Sequence, residues 1–273
     1  MTRDWTQPSD KTLVEYRAAD GVAVLTLCDP PANTYSYAMM RQLDDAILRA
    51  RFDEHVHAIV LTGSGSKFFC AGANIQMLGE VSPSFKYFFC LHANETLNRL
   101  EQTPKLVIAA INGHCVGGGL EIALACDIRI ARRGAGKMGL PEINLGVLPG
   151  TGGTQRLTRL LGKARAMQLM VEGETFPIER AQELGLVHHV YDASSRDDFV
   201  AQVVEYAKRL GPPGKAPLAV GRIKRAVQSG ADMPLEQGLA LERELQAELF
   251  ASHDAGEGLA AYVGKRTPRF EGR

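Results

Sequence analysis

The 273-residue sequence lacks the features of nucleic-acid-binding, membrane-spanning and secreted proteins. It has 31 Lys plus Arg and 31 Asp plus Glu, so its net charge is zero and no overall field attracts nucleic acid or an anionic membrane. No apolar run approaches the roughly 18 residues of a membrane span. Residues 1–10 are polar and lack the apolar stretch of a secretory signal. We therefore expect a cytoplasmic protein with no nucleic-acid or membrane partner.

Cysteine is too sparse and too irregularly spaced for a disulfide framework. The number is odd, no two form a C-x-x-C pair, and most lie in apolar runs: Cys28, Cys70, Cys90, Cys115 and Cys126. We expect reduced, buried thiols and a reducing compartment. The histidine pairs His188-His189 and His55-x-His57 do not have the i, i+4 spacing of zinc ligands on a helix, so no metal site is predicted.

The motifs of two common enzyme classes are also missing. Glycine runs invite comparison with nucleotide-binding proteins, but no strand is followed by G-x-G-x-x-G and there is no G-x-x-x-x-G-K-[ST] loop. Ser64 lies in T-G-S-G-S, which lacks the first glycine of the G-x-S-x-G motif of serine hydrolases. These absences argue against both classes.

Hydrophobic periodicity predicts an α/β protein. We predict a hairpin that ends in Val22–Leu27, strands at 58–61, Leu106–Ile111, 128–131 and 187–191, and helices at 36–52, 84–101, 152–171, 178–184, 196–209 and 215–263. A further short helix opens at the glycine run 117–119 and runs through Cys126. Alternating strands and helices favour a sheet covered on both faces.

The last third of the chain has a different character. It has no clear strand, and Gly211-Pro212-Pro213-Gly214 interrupts it. We predict a core at 1–195 with a helical region at 196–273. The segment 234–250 carries leucines among charges: Leu235, Leu239, Leu241, Leu245 and Leu249. Such a helix packs either on its own domain or on a neighbouring subunit.

The first segment that could carry chemistry is F-F-C-A-G-A-N-I at 68–75. The strand at 58–61 ends, a Ser/Gly loop follows, and small residues then precede a helical turn. Small residues let a ligand approach the backbone, and N–H groups at a helix start are free to bind an oxygen. Tight packing of a loop is the alternative explanation.

The second segment is N-G-H-C-V-G-G-G-L-E at 112–121. A buried strand runs into three glycines and a helix, with Glu121 in the first turn. The helix dipole favours a carboxylate there, so Glu121 could also be an ordinary helix-terminal charge.

The third segment, residues 139–157, contains Glu142 and a second glycine-rich turn. Leu140, Pro141, Ile143 and Leu145 flank Glu142. Desolvation by apolar neighbours raises the pKa of a carboxyl group, which a general acid needs. A solvent-facing loop glutamate is the alternative.

In this order, the three segments resemble the crotonase superfamily, closest to enoyl-CoA hydratases. The matching motifs are A-G-A-x-I, N-G-x-x-x-G-G-G-x-E and P-E-x-x-x-G-x-x-P-G-x-G-G-T-Q-R-L, and the resemblance extends over most of residues 12–192. It implies a spiral of ββα units with a helical C-terminal trimerisation region, and hence a homotrimer or a dimer of trimers.

The resemblance also implies roles for individual residues. The backbone N–H groups of Ala73 and Gly118 would form an oxyanion hole for the thioester carbonyl. Glu121 would activate the attacking water and Glu142 would protonate Cα. Retention of both glutamates favours syn hydration of a trans-2-enoyl-CoA to a 3-hydroxyacyl-CoA. Isomerisation, thioester hydrolysis, C–C cleavage and a non-catalytic scaffold stay as alternatives.

By the same resemblance, the acyl-CoA substrate lies along two segments of the chain. The positions that match are Ala32, Thr34, Ala71, Asn74, Ile75 and Gln76. Coenzyme A is part of the substrate, so no separate cofactor is expected. Lys265 or Arg266 is a candidate contact for the CoA phosphates, from the same or another subunit, with unliganded surface charges as the alternative.

The sequence departs from the superfamily pattern at two positions. Asn74 replaces the usual aspartate, which would allow a different local hydrogen bond, and Met138 stands where an aromatic residue is common. Four aromatic residues lie in the segment that resembles the variable acyl pocket: Phe85, Tyr87, Phe88 and Phe89. We interpret most of them as the core face of a helix, with a pocket lining as the alternative. The acyl group itself is not specified.

Overall fold

The computed structural model describes residues 4–273, so the first three residues of the polar start lie outside it. Elements are numbered in chain order. A six-stranded sheet contains, from edge to edge, β1 (Val14–Ala19), β2 (Val22–Leu27), β3 (Ala58–Gly63), β5 (Leu106–Ile111), β7 (Ile128–Arg132) and β10 (His189–Tyr191). A four-stranded sheet contains β4 (Phe68–Cys70), β6 (His114–Val116), β8 (Lys137–Gly139) and β9 (Phe176–Pro177).

The two sheets share a repeating path of the chain. The long strand β3 is followed by the short strand β4, β5 by β6, and β7 by β8. Each pair therefore adds one strand to each sheet before a helix follows, which is the predicted succession of ββα units. The β1–β2 pair is antiparallel, as the hairpin prediction requires, and β2, β3, β5, β7 and β10 run parallel.

Eleven α-helices lie in residues 4–273. They are α1 (Tyr37–Phe52), α2 (Ile75–Glu80), α3 (Pro83–Glu101), α4 (Gly118–Leu124), α5 (Gly153–Leu161), α6 (Lys163–Glu172), α7 (Ile178–Glu183), α8 (Arg196–Lys208), α9 (Pro217–Gly230), α10 (Leu235–Phe250) and α11 (His253–Val263). A 3-10 helix covers Glu142–Leu145. Gly162, with φ +78°, separates α5 from α6 within the predicted helical stretch 152–171.

The larger sheet is covered on both faces, as predicted. On one face, Val60, Ile108 and Ile130 of the strands pack with Phe199 and Val203 of α8. On the other face, side chains from α1, α3 and α4 complete a second core. Burial on both faces explains why β3 is apolar along most of its length and fully buried.

Helix α3 presents only part of its aromatic cluster to the core. Phe89 is buried and Phe85 packs against the core, but Tyr87 and Phe88 are 66% and 61% exposed. The core-face interpretation is therefore wrong for Tyr87 and Phe88. Positions 85, 89 and 93 recur at helical spacing and form one stripe, whereas 87 and 88 lie outside that stripe.

The C-terminal helices attach to the core through a buried ion pair. Lys224 of α9 lies 2.7 Å from Asp127, and the two side chains are 4% and 11% exposed. Asp127 also accepts the N–H of Val107 at 2.7 Å. Helix α10 packs on α9 but buries none of its own residues. The boundary at residue 195 stays a prediction: α8 packs on the larger sheet, α9 contacts β5, and α10 contacts α9 and α11.

Two further properties follow from residues 4–273. None of their helices combines the length and apolar character that crossing a membrane requires. Nor do these residues hold a cluster of three or more His, Cys, Asp or Glu side chains that could bind a metal ion.

Candidate active site

Glu121 lies in the first turn of α4 and is almost completely buried, with 2% of its surface exposed. Its Oε1 atom accepts two backbone hydrogen bonds, from the N–H groups of Thr151 and Gly153, both at 2.7 Å. The interpretation of Glu121 as an ordinary helix-terminal charge is therefore wrong. A glycine at 153 is required, because a Cβ there would lie 2.8 Å from the Pro149 Cβ and 3.0 Å from Glu121 Oε1.

Two opposing effects set the protonation of Glu121. Burial raises its pKa, because desolvation disfavours the charged form. The hydrogen bonds from Gly153 and Thr151 and the charge of Arg156 act in the opposite direction, because they stabilise the carboxylate. The net direction is upward.

Glu142 begins the 3-10 helix after β8 and is half-buried. Its Oε2 atom is buried and has no hydrogen-bond partner among residues 4–273. Burial, followed by repulsion from Glu121, raises its pKa to about 7. The predicted upward shift is confirmed. Its source is not the residues that follow Glu142 in sequence, because Ile143 and Leu145 are 45% and 61% exposed.

Gly117 brings Glu142 close to the start of α4. Its φ is +56°, and a Cβ at this position would lie 3.0 Å from Glu142 Oε1. Gly117 also donates its N–H to the carbonyl of Gly139, just before the 3-10 helix. A residue without a side chain thus allows the Glu142 carboxyl group to approach the backbone at the N-terminus of the helix that carries Glu121.

The structure brings the two predicted oxyanion donors to the same place. Ala73 and Tyr35 form an isolated parallel β-bridge. Its two hydrogen bonds run from the Tyr35 N–H to the Gly72 carbonyl and from the Asn74 N–H to the Tyr35 carbonyl. The N–H of Ala73 itself has no acceptor within residues 4–273. Gly118, in the first turn of α4, also has no acceptor for its N–H within the described chain. A Cβ on Gly72, with φ +92°, would lie 3.0 Å from the Gly118 nitrogen, so the two segments are in contact.

The two predicted CoA-binding segments lie side by side. Ala71 donates its N–H to the Ala32 carbonyl at 3.0 Å, so the segment that contains Ala32 and Thr34 lies beside the segment 71–76. The Thr34 hydroxyl bonds to Asp29 at 3.1 Å. Asn74 caps α2 by accepting the Met77 N–H at 2.9 Å, which is the local hydrogen bond made at this departure from the pattern.

The remaining predicted contacts are at the surface. Ile75 is 58% exposed and Gln76 bonds to Glu80 at 2.9 Å, both on α2 beside the glycine-containing turn. Arg266 forms a two-fold ion pair with Glu257 in its own C-terminal region, and Lys265 is exposed. Contacts of these residues with a CoA ester stay predictions.

Two residues of the site were not found from the sequence. Tyr35 is buried, and its hydroxyl lies 2.9 Å from the Thr151 hydroxyl. Thr151 follows Gly150 in the third segment, at a position that the motif leaves open. The only sequence signal was proximity to the motifs, because contact between Tyr35 and Thr151 spans 116 residues.

Comparison with known proteins agrees with this geometry. The family profile described as enoyl-CoA hydratase/isomerase matches residues 17–273. The chain belongs to the enoyl-CoA hydratase/isomerase family. It is 39% identical over 254 residues to a "Probable enoyl-CoA hydratase" of Bacillus subtilis, with 92% of this chain and 95% of the relative covered.

A second relative and a solved structure extend the comparison. The chain is 37% identical to the "2,3-dehydroadipyl-CoA hydratase" of Escherichia coli, over 92% of this chain and 96% of the relative. A crystal structure of "Enoyl-CoA hydrates" from Geobacillus kaustophilus superposes with a TM-score of 0.92 at 42% identity, covering 97% of this chain and 98% of the other. The enoyl-CoA hydratase/isomerase fold therefore extends over nearly the whole chain, including its helical C-terminal region.

Proposed function

We propose that the protein is an enoyl-CoA hydratase that adds water in a syn manner to a trans-2-enoyl-CoA and forms a 3-hydroxyacyl-CoA. The observation that carries the proposal is the pairing of two carboxyl groups in different environments, Glu121 and Glu142, beside two unused backbone N–H groups. Membership of a family whose relatives are named as hydratases supports the same reaction.

The two N–H groups stabilise the charge that develops on the thioester oxygen. When water adds to Cβ, electron density moves to the carbonyl and an enolate forms. The N–H groups of Ala73 and Gly118 have no acceptor within residues 4–273, so they are available to bind this oxygen. Loss of one such donor in an enzyme typically costs about 100- to 1,000-fold in kcat.

The carboxyl groups divide the proton transfers. Glu121 accepts two N–H bonds at 2.7 Å, which favour its ionised form, so it takes a proton from the attacking water. Glu142, with a pKa of about 7 and an unpartnered Oε2, can hold a proton at neutral pH and deliver it to Cα. No separate cofactor enters this scheme, because coenzyme A belongs to the substrate.

The test is the hydration of a panel of 2-enoyl-CoA thioesters, followed by loss of the enoyl-thioester absorbance. We expect turnover by the wild type and a loss of about 100-fold or more in kcat for Glu121→Gln and for Glu142→Gln. Binding of a CoA ester without hydration of any panel member would overturn the proposal. Double-bond migration, hydrolysis and C–C cleavage would then be assayed on the same esters.

We also propose assembly into a homotrimer or a dimer of trimers through the C-terminal region. Helix α10 buries no residue within its own chain, while Leu235 and Phe250 are 78% and 64% exposed. Val227 of α9 and Val263 of α11 are exposed as well. Apolar surface of this extent is typical of a subunit interface. Light scattering that gives a monomer at assay concentration would contradict assembly.

We infer a reducing compartment, the cytoplasm, from the thiols. All five cysteines are free, and Cys70, Cys115 and Cys126 are buried. Burial raises the pKa of the Cys70 and Cys126 thiols to about 12, which keeps them protonated and unreactive.

A further inference from the structure

Tyr35 and Thr151 form a buried pair that the proposed reaction does not use directly. Their hydroxyl oxygens are 2.9 Å apart, and both residues are nearly inaccessible, with 2% and 3% exposure. The Tyr35 ring packs on Phe89 with centroids 5.7 Å apart. A methyl group at Gly118 would collide with the Tyr35 hydroxyl, so this hydroxyl lies directly beneath the start of α4.

Thr151 connects this pair to Glu121. Its backbone N–H donates to Glu121 Oε1 at 2.7 Å, and its hydroxyl pairs with the Tyr35 hydroxyl. Either hydroxyl can be the donor in that 2.9 Å contact. Tyr35 therefore acts on Glu121 through the side chain of Thr151 and then through its backbone N–H.

Two further contacts hold the loop that carries Thr151. Asn94 of α3 donates to the Gly150 carbonyl at 3.2 Å, and Arg156 lies 3.5 Å from the Thr151 carbonyl. Together with the contact to Tyr35, they set the position of the Thr151 N–H that Glu121 accepts.

We propose that Tyr35 and Thr151 are positioning residues that hold the Glu121 carboxylate in one orientation and keep it ionised for proton abstraction. The inference rests on the proposed role of Glu121 as the base. Neither side chain needs to touch the substrate, because both act through the carboxylate.

Other groups also face Glu121 and contribute to its charge state. Glu142 approaches from the 3-10 helix, Arg156 from α5 and Cys90 from α3. Burial raises the pKa of Cys90, and burial and Glu121 together raise that of Tyr35 well above its usual value, so both stay neutral at pH 7. Glu142 and Arg156 are then the neighbours whose charge can act on Glu121, and neither is replaced in the variants below.

The test compares Tyr35→Phe, Thr151→Val and Thr151→Ser with two matched controls. Tyr16→Phe and Thr96→Val each remove a buried hydroxyl that has no partner among residues 4–273. We expect Tyr35→Phe and Thr151→Val to lower the plateau kcat by about 3- to 10-fold, the effect of one hydrogen bond. The expected KM is unchanged, and Thr151→Ser should recover most of the loss.

The pH profile separates positioning from a general structural effect. The base must be ionised, and a weaker hydrogen bond from the Thr151 N–H to the ionised form raises its pKa. The acid limb of kcat/KM should therefore move to higher pH by about half a unit to one unit in Tyr35→Phe and Thr151→Val. The controls should keep the wild-type limb.

An infrared titration tests the inference without turnover. The carboxylic C=O band that disappears in Glu121→Gln reports the protonation of Glu121, and it should titrate at higher pH in Tyr35→Phe. If the band moves but no enoyl-CoA is hydrated by the wild type, the proposed function fails and the positioning inference stands. If the wild type is active and neither the limb nor the band moves, or if the controls move them equally, the inference is overturned.

Discussion

Replacing Glu142 by glutamine should lower activity and raise stability in the same variant. The pKa of Glu142 is raised from 4.5 to about 7, which means that the folded protein disfavours the charged form. The shift of about 2.5 pH units corresponds to at most about 3.4 kcal/mol of destabilisation above pH 7. Glu142 is only half-buried, and solvent screening reduces the expected cost to about 1–2 kcal/mol.

The pH dependence of this cost has a definite sign. Below pH 4.5 the carboxyl is protonated in both the folded and the unfolded chain and costs nothing. As pH rises from 4.5 to about 7, the unfolded chain ionises first and the folded state loses stability relative to it. Glutamine has no charge, so Glu142→Gln should be about 1–2 kcal/mol more stable than wild type at pH 8 and equal to it near pH 4.5.

The assay is urea unfolding of both proteins at pH 4.5, 6, 7 and 8, at equal protomer concentration because assembly adds to stability. Hydration kinetics are measured on the same samples. Wild-type kcat should fall about tenfold per pH unit above pH 7, as the acid loses its proton. Glu142→Gln should have a low kcat that does not fall further above pH 7. A stability difference that is independent of pH would refute the argument from desolvation.

Two further predictions concern residues that shape the protein around the site. Gly117→Ala places a Cβ 3.0 Å from a carboxyl oxygen of the site at φ +56°, so we expect at least about 1 kcal/mol of destabilisation and a large loss of kcat. Gly65→Ala, at φ +68° with open space around it, is the control, and an equal loss of kcat in both would contradict a steric effect on the site. Lys224→Met should cost about 3–5 kcal/mol in urea unfolding, because it leaves Asp127 buried without its ion-pair partner. Arg222→Met, which breaks a more exposed ion pair on the same helix, should cost less than about 1 kcal/mol. Similar losses of stability in the two variants would contradict the distinction between buried and exposed ion pairs.

The elements with strong periodicity could be predicted from the sequence, and most of the shortest strands could not. Helix α1 follows its apolar spacing, and its N-terminus is capped by Ser36. In the larger sheet, β2, β3 and β5 have six residues each and are buried almost continuously. In contrast, β4, β6 and β8 have three residues each, which is too few to show a period.

The candidate site shows the same division at the level of single residues. The raised pKa of Glu142 was predictable in direction, because the local sequence is apolar. Its cause was not, since the exposed Ile143 contributes little and the approach to Gly117 is a contact across 25 residues of chain. The burial of Glu121 likewise depends on a loop 30 residues away that supplies Thr151. Long-range contacts of this kind leave no local pattern in the sequence.

The different surroundings of the two carboxyl groups explain why a single site can hold both an acid and a base. Glu121 is the more deeply buried of the two, and burial raises its pKa. The backbone donors on the 150–153 loop oppose that effect, whereas Glu142 Oε2 has no partner within residues 4–273. Hydrogen-bond donors rather than burial therefore distinguish the two groups. It follows that the assignment of base and acid depends on the geometry of that loop, which Tyr35 and Asn94 contact at Thr151 and Gly150.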